Sequence, residues 1–236
     1  LDGCQSAFAL ERAREWAAVL SAWALPQPQL SLFTGRCRVH RAELLQLSGT
    51  WQAALEEADT VSADPRAGQH ERGAAGYQRA EVHRLRGEFR EAEAAYKLAH
   101  ECGVEPHPGL ALLWLAQGRV NEAWAAVCRV LATTGPPLAR ARVLPAAIEI
   151  GLARGSMAEA AADVAELAGI AAAFPSSMLR TLAEEGRGLL ALAEGAAGES
   201  LSPLRAAQDG WSELGAPYLA ARLRASIGTA LAALGD

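Results

Sequence analysis

The sequence predicts an all-α fold in which antiparallel helix pairs stack into an α-solenoid. Three observations carry that expectation. In HRLRGEFREAEAAYKLA, residues 83 to 99, a strong helical pattern is interrupted by Gly87. Glycine costs about 1 kcal/mol against alanine in a helix interior, so Gly87 marks a reversal between two helices. The arrangement around it recurs along the chain, and no segment shows the alternation of a strand.

Around Gly87, Phe89 lies two residues ahead, Ala92 five, Tyr96 nine and Ala99 twelve, with Ala80 seven behind. The same offsets select Trp51, Ala54, Ala58, Val61 and Ala42 around Gly49, and Val120, Ala123, Val127, Val130 and Ala111 around Gly118. Around Gly155 they select Met157, Ala160, Val164, Leu167 and Ile148. Small residues at plus five, and in most units at minus seven, let the two helices of a pair approach closely, and the larger residue at plus two fills the space around that contact. The four turn glycines are 38, 31 and 37 residues apart, and Gly195 and Gly235 follow at intervals of 40. These spacings scatter around the ~34-residue period of tetratricopeptide repeats. Residues 34 to 236 resemble such repeats, and the resemblance implies a right-handed superhelix of stacked hairpins, since one hairpin cannot bury its apolar face alone.

In chain order, the first helices of the pairs are expected near 34–48, 67–86, 108–117, 138–154, 176–194 and 217–234. Their partners are expected near 51–62, 88–102, 119–133, 156–173 and 199–214. In the fifth pair GAAGESLSP reads as a lengthened turn, with Gly188 and Gly228 supplying the small residue seven before Gly195 and Gly235. Pro26, Pro28, Pro65, Pro106, Pro136 and Pro175 fall between helices, where a missing N–H is tolerated. The resulting units, near 1–30, 34–63, 67–103, 108–134, 138–173, 176–215 and 217–236, form a single repeat domain. Its first helix lacks a cap and its last turn, LGD, lacks a second helix, so the domain reads as part of a longer array.

Composition narrows the functions. The 236 residues are 51% hydrophobic, enough for a substantial core, and a net charge of −5 gives no overall attraction to phosphate backbones or anionic lipid. No run of 18 or more uncharged apolar residues occurs. Cys4, Cys37, Cys102 and Cys128 are widely spaced with no C-x-x-C pair, consistent with reduced thiols in a cytoplasmic protein; Cys37 and Cys128 read as small buried hydrophobes. The single lysine, Lys97, sits between Tyr96 and Leu98, so a G-x-x-x-x-G-K-[ST] loop is excluded.

An ordered series of segments carries a further resemblance: LERAREWAAVLSAW, FTGRCRVHRAELLQLSGTWQAALEEA, AEVHRLRGEFREAEAAYKLA, PGLALLWLAQGRVNEA and LGAPYLAARLRASIGTALAALGD. Together they closely resemble the helical region of actinobacterial LuxR-type transcriptional regulators. The resemblance implies a cytoplasmic regulatory module that binds a protein or peptide segment, its own DNA-binding domain or a small effector. In that group a helix-turn-helix domain follows the repeats. Its signature, of the kind LTxRExxVLxLxxxGxxNxxIA, does not occur here, so DNA binding is expected from a domain C-terminal to residue 236. The alternative is a stand-alone tetratricopeptide adaptor that does not act on DNA. Oligomeric state is not encoded in any motif.

No catalytic, cofactor or metal constellation emerges. His83, His100, Cys102 and His107 lie close in sequence, yet His100 and Cys102 point in different directions and no second pair completes a tetrahedral set. Glu56 with Glu57, and Glu184 with Glu185, diverge by about 100° on a helix and read as solvated faces rather than an acid and a base. G-x-S-x-G and DDxxD motifs are absent. The chain is therefore not expected to be an enzyme. Trp16, Trp51, Trp124 and Trp211 sit at helical spacing among Leu, Val and Ala and read as core or inter-helix packing.

In tetratricopeptide arrays the inner groove is lined by the first helix of each pair. By that register the lining here comprises Arg36, Val39, Glu43 and Gln46, then Tyr77, Glu81 and Arg84, then Arg142 and Glu149, then Glu185 and Leu189. The position six before the turn glycine holds Glu43, Glu81 and Glu149. Like charge at short range disfavours an acidic tail there, so a neutral or basic segment, or an internal helix, is the expected occupant.

Overall fold

The computed structural model describes residues 2–24 and 31–235, and among them every regular element is an α-helix. Pro26 and Pro28 lie outside the described residues. The chain forms two compact units. Unit 1 comprises residues up to Gln5 and Leu10–Leu113; unit 2 comprises Ser6–Ala9 and Trp114 onward.

Unit 1 contains α1 (Asp2–Ser6, apart from its last residue), α2 (Leu10–Ala24), α3 (Ser31–Leu47), α4 (Trp51–Ala63), α5 (Gln69–Arg86), α6 (Phe89–Glu101) and the first part of α7 (Gly109–Ala116). Each of α3 to α6 packs on the next, and α3 also packs on α5. The core follows from the repeat. Val39, Ala58, Val61 and Ala75 join α3, α4 and α5, while Ala80, Ala92, Ala95 and Tyr96 join α5 to α6. Ala92 and Ala80 are fully buried, so the residues at plus five and minus seven do bring the helices together. Glycine takes the same role one and two turns earlier on α5: a Cβ on Gly73 would lie 2.7 Å from Cys102 Cβ and from Val104 Cγ2, and one on Gly76 would lie 3.4 Å from the Ala95 carbonyl oxygen.

Unit 2 contains α8 (Val120–Thr133), α9 (Pro137–Ala141), α10 (Leu144–Arg154), α11 (Met157–Ala173), α12 (Ser177–Ala193), α13 (Ala197–Glu213) and α14 (Pro217–Ala233). Consecutive helices from α10 to α14 pack in pairs, and the alternate contacts α10 to α12 and α12 to α14 repeat the relation of α3 to α5. A Cβ on Gly188 would stand 2.7 Å from Leu204 Cγ, whereas one on Gly228, the corresponding residue of the next unit, would meet nothing within 4 Å.

Five of the turns share one geometry. Gly49, Gly87, Gly118, Gly155 and Gly195 have φ between 77° and 82°, and the residues after them share φ near −84° and ψ of 55° to 67°. At Gly87 the glycine N–H donates to the Arg84 carbonyl and the Glu88 N–H to His83, closing the helix with a left-handed residue. The same two bonds form at the other four glycines. In each case the next helix begins two residues after the glycine.

Several expectations need correction. The fifth turn is not lengthened: Gly195 reverses the chain like the others, α13 starts at Ala197, and Ser200 occupies plus five fully buried. Pro203 lies inside α13. The first helix expected over 138–154 breaks into α9 and α10, because Pro145 has no N–H for the preceding turn; Arg142 and Val143 instead donate to Ala139 and Arg140, three residues back. Trp16 is not core. It is 51% exposed and shares a face of α2 with the exposed Val19 and Trp23, whereas Trp211 is buried. Cys37 and Cys128 are half-buried rather than enclosed.

Candidate functional site

Each unit gathers polar side chains at positions that the repeat register selects. In unit 1, Tyr77, Glu81 and Arg84 are four and three residues apart, which aligns them on one side of α5. Arg84 Nη2 donates to Glu81 Oε2 at 2.7 Å, and the Tyr96 hydroxyl, from α6, donates to Glu81 Oε1. The Tyr77 and Tyr96 rings meet edge to face, 5.6 Å between centroids. Gly109, at the start of α7, is pressed against the same carboxylate, since a Cβ there would collide with Glu81 and the Tyr96 hydroxyl. Burial, followed by the charge of Glu81, raises the pKa of both tyrosines. For Arg84 burial works against the charge, but Glu81 and Tyr96 outweigh it and the guanidinium is held more strongly protonated than usual. Its Nε has no hydrogen-bond partner.

A second row lies on α3. Arg36, His40 and Glu43 follow one another at four and three residues, and all three are engaged by α1. Asp2 accepts from Arg36 and His40, and Gln5 Nε2 donates to Glu43 Oε2 at 2.6 Å. Burial works against the Asp2 charge, yet the His40 hydrogen bond and the His40 and Arg36 charges hold its carboxyl below the usual value. Beside them Val39 belongs to the core with Ala58 and Val61, so it offers a partner no side chain and is removed from the expected lining. Gln46 is partly buried, and its carbonyl accepts from Trp51 Nε1 at 3.2 Å.

In unit 2, Glu149 on α10 pairs with Arg222 on α14, at 2.9 Å, and Glu185 on α12 accepts from Trp211 Nε1 on α13 at 2.7 Å. Burial raises the Glu185 pKa; Trp211 and Arg222 oppose that and Glu149 adds to it. Leu189 is partly buried one turn further along α12. Arg142 does not join this group. It is exposed, with its guanidinium 5.5 Å from the Phe8 ring centre, and the Phe8 carbonyl accepts from Ser176 Oγ at 2.7 Å.

Sequence reasoning thus found the glutamates and Arg84 and missed the other partners. Arg222 was legible in one respect: it lies 13 residues before Gly235, as Arg36 and Arg142 lie 13 before Gly49 and Gly155. Tyr96 and Trp211 come from second helices, which the groove rule does not consult. The solvated reading of the glutamate pairs also fails for one member of each. Glu57 forks between Arg38 and Arg41, and Glu185 is bound by Trp211, whereas Glu56 is exposed. The carboxylates of Glu43, Glu81 and Glu149, expected to face a partner, are engaged inside the fold: Glu43 accepts from Gln5, Glu81 pairs with Arg84 and accepts from Tyr96, and Glu149 pairs with Arg222.

One carboxylate stands apart. Asp163 on α11 is half-buried near Glu166, Arg140 and Glu159, and burial followed by the Glu166 charge pushes its pKa up from 3.8 to about 6. A raised carboxylate favours the fold only when protonated. Its contribution is complete below about pH 4 and is lost as pH rises through 6. Asp163→Asn is expected to raise stability by about 1 kcal/mol at pH 7.5, a value reduced for solvent screening, and to change it little at pH 4. Urea melts at the two pH values check this, and an equal effect at both would refute it.

Among the described residues no three His, Cys, Asp or Glu side chains are grouped to hold a metal ion, and no helix is long and apolar enough to cross a membrane. Compared with known proteins, the chain matches no family model, no curated protein and no solved structure.

Proposed function

We propose that the chain is a tetratricopeptide-like right-handed solenoid that binds a protein or peptide segment along its first helices. We further propose that it serves as the regulatory region of a LuxR-type transcriptional regulator whose DNA-binding domain lies outside it. One observation supports the binding reading: five turns share the same geometry, and the sequence register that they mark selects polar residues at matching positions on α3, α5 and α10. A scaffold of this kind presents an extended surface assembled from one stripe per repeat. The acidic balance of the chain argues against DNA contact by this region itself.

The test uses residues 1–236 in two measurements. Titration with arrays of acidic, neutral and basic peptides is expected to give saturable binding that is weakened by substitutions at Arg36, Gln46 or Arg142. Mobility shifts with DNA fragments at moderate salt are expected to show no sequence-specific complex. Absence of binding to every peptide class would overturn the binding reading. A specific DNA complex would overturn the assignment of DNA recognition to another domain.

A further inference from the structure

The row on α3 is engaged by another segment of the chain, α1. α1 has no buried residue; among its described contacts, Asp2 on Arg36 and His40, and Gln5 on Glu43, are polar side-chain bonds. The two ends of the contact are chemically matched. A carboxylate lies against two basic side chains, and three residues later in α1, three residues further along α3, an amide donates to a carboxylate. Helical spacing on both partners brings these groups into step. Helices that form part of a core are fixed by apolar burial, as α5 and α6 are by Ala80, Ala92 and Tyr96. The described contacts of α1 are two ion pairs, in which Asp2 and Arg36 are more than half exposed while His40 is mostly covered, and the part-buried Gln5–Glu43 hydrogen bond; ion pairs with an exposed partner are individually weak and exchange readily with an equivalent group.

We propose that α1 is an internal occupant of a peptide-docking face on α3, and that the face takes an acidic helical segment carrying a carboxylate and, three residues on, a side-chain amide. An external segment of that chemistry displaces α1 rather than adding to it, so α1 sets the threshold at which the face responds. The inference rests on the reading of the chain as a segment-binding module and names the chemistry of one of its faces. It also reverses the expectation from the glutamates alone, because Arg36 and His40 turn this part of the surface toward acidic partners.

The test titrates a labelled synthetic peptide, LDGSQSAFA, which repeats residues 1–9 with serine in place of Cys4, into the wild-type chain and into an Asp2→Ala, Gln5→Ala variant. Fluorescence anisotropy is followed to millimolar peptide. The tethered α1 competes at an effective concentration of about a millimolar, so the variant is expected to bind about 10-fold or more tightly than the wild type. Binding is expected to vanish when Arg36→Ala, His40→Ala and Glu43→Ala are added, with the circular dichroism spectrum and Tm little changed, and a peptide with lysine in place of Asp2 is expected not to bind. Equal affinity for wild type and variant, or no saturable binding to the variant, overturns the proposal. If this peptide fails while other peptides bind the chain, only this inference falls; if every peptide fails, the binding reading falls with it.

Discussion

Ala92→Trp is expected to abolish the cooperative melting of unit 1, while Arg90→Trp, two residues earlier, leaves it within about 1 kcal/mol of the parent. Ala92 is fully buried where α6 crosses α5, against Ala80 and beside Leu113. The facing surface has little room to retreat, because α5 presents Gly76 to the α6 backbone at contact distance. Overpacking of a dense core typically costs about 1 to 3 kcal/mol. An indole in a site sized for one methyl group must separate two helices, so about 3 kcal/mol or more is expected here. Arg90 is exposed and its replacement meets no such wall. Thermal melts followed by circular dichroism compare the two, and equal Tm values would show that the plus-five position is not the close contact.

Glu81→Leu is expected to be as damaging for an electrostatic reason, at about 3 to 5 kcal/mol. The Glu81 carboxylate is the acceptor for both Arg84 and the Tyr96 hydroxyl, and all three side chains are largely withdrawn from water. Removing it strands a buried cation and a buried hydroxyl together. Glu81→Gln retains an acceptor and is expected to lose about half as much. The informative variant is the double change Glu81→Leu, Arg84→Leu, which removes the charge along with its partner and is expected to recover most of the loss. Urea melts of the wild type, Glu81→Leu, Arg84→Leu and the double variant measure the coupling. If the double variant were as unstable as the sum of its parts, the pair would not act as a unit.

Helix positions were legible in the sequence because the close-packing rule leaves a small residue at a fixed distance from a left-handed glycine, and both marks are local. Ser200 obeyed the rule and was overlooked, since serine is as small as the site requires but is not the alanine of the other units. The break at Arg142 and Val143 was also readable from Pro145, had the missing N–H been counted one turn back. The polar sites were only half readable. A register rule places Tyr77, Glu81 and Glu149 on first helices, but Tyr96, which meets Tyr77 and Glu81, and Arg222, which pairs with Glu149, arrive from other elements, and a one-dimensional pattern does not contain those distances. The α3 row was hardest to foresee, because its occupant lies 34 to 38 residues away in sequence on a helix of five residues.

The turn at Gly87 is a matter of handedness and not of room. A Cβ added there would meet no atom within 4 Å, yet φ is +77°. An L-side chain at that position is penalised by its own backbone, roughly 1 to 2 kcal/mol, with nothing in the surroundings contributing. A D-alanine reverses the account: its mirror-image backbone prefers this very conformation, and it restricts the unfolded chain. The reversal between α5 and α6 is thus a stereochemical switch point that a single inverted centre would lock.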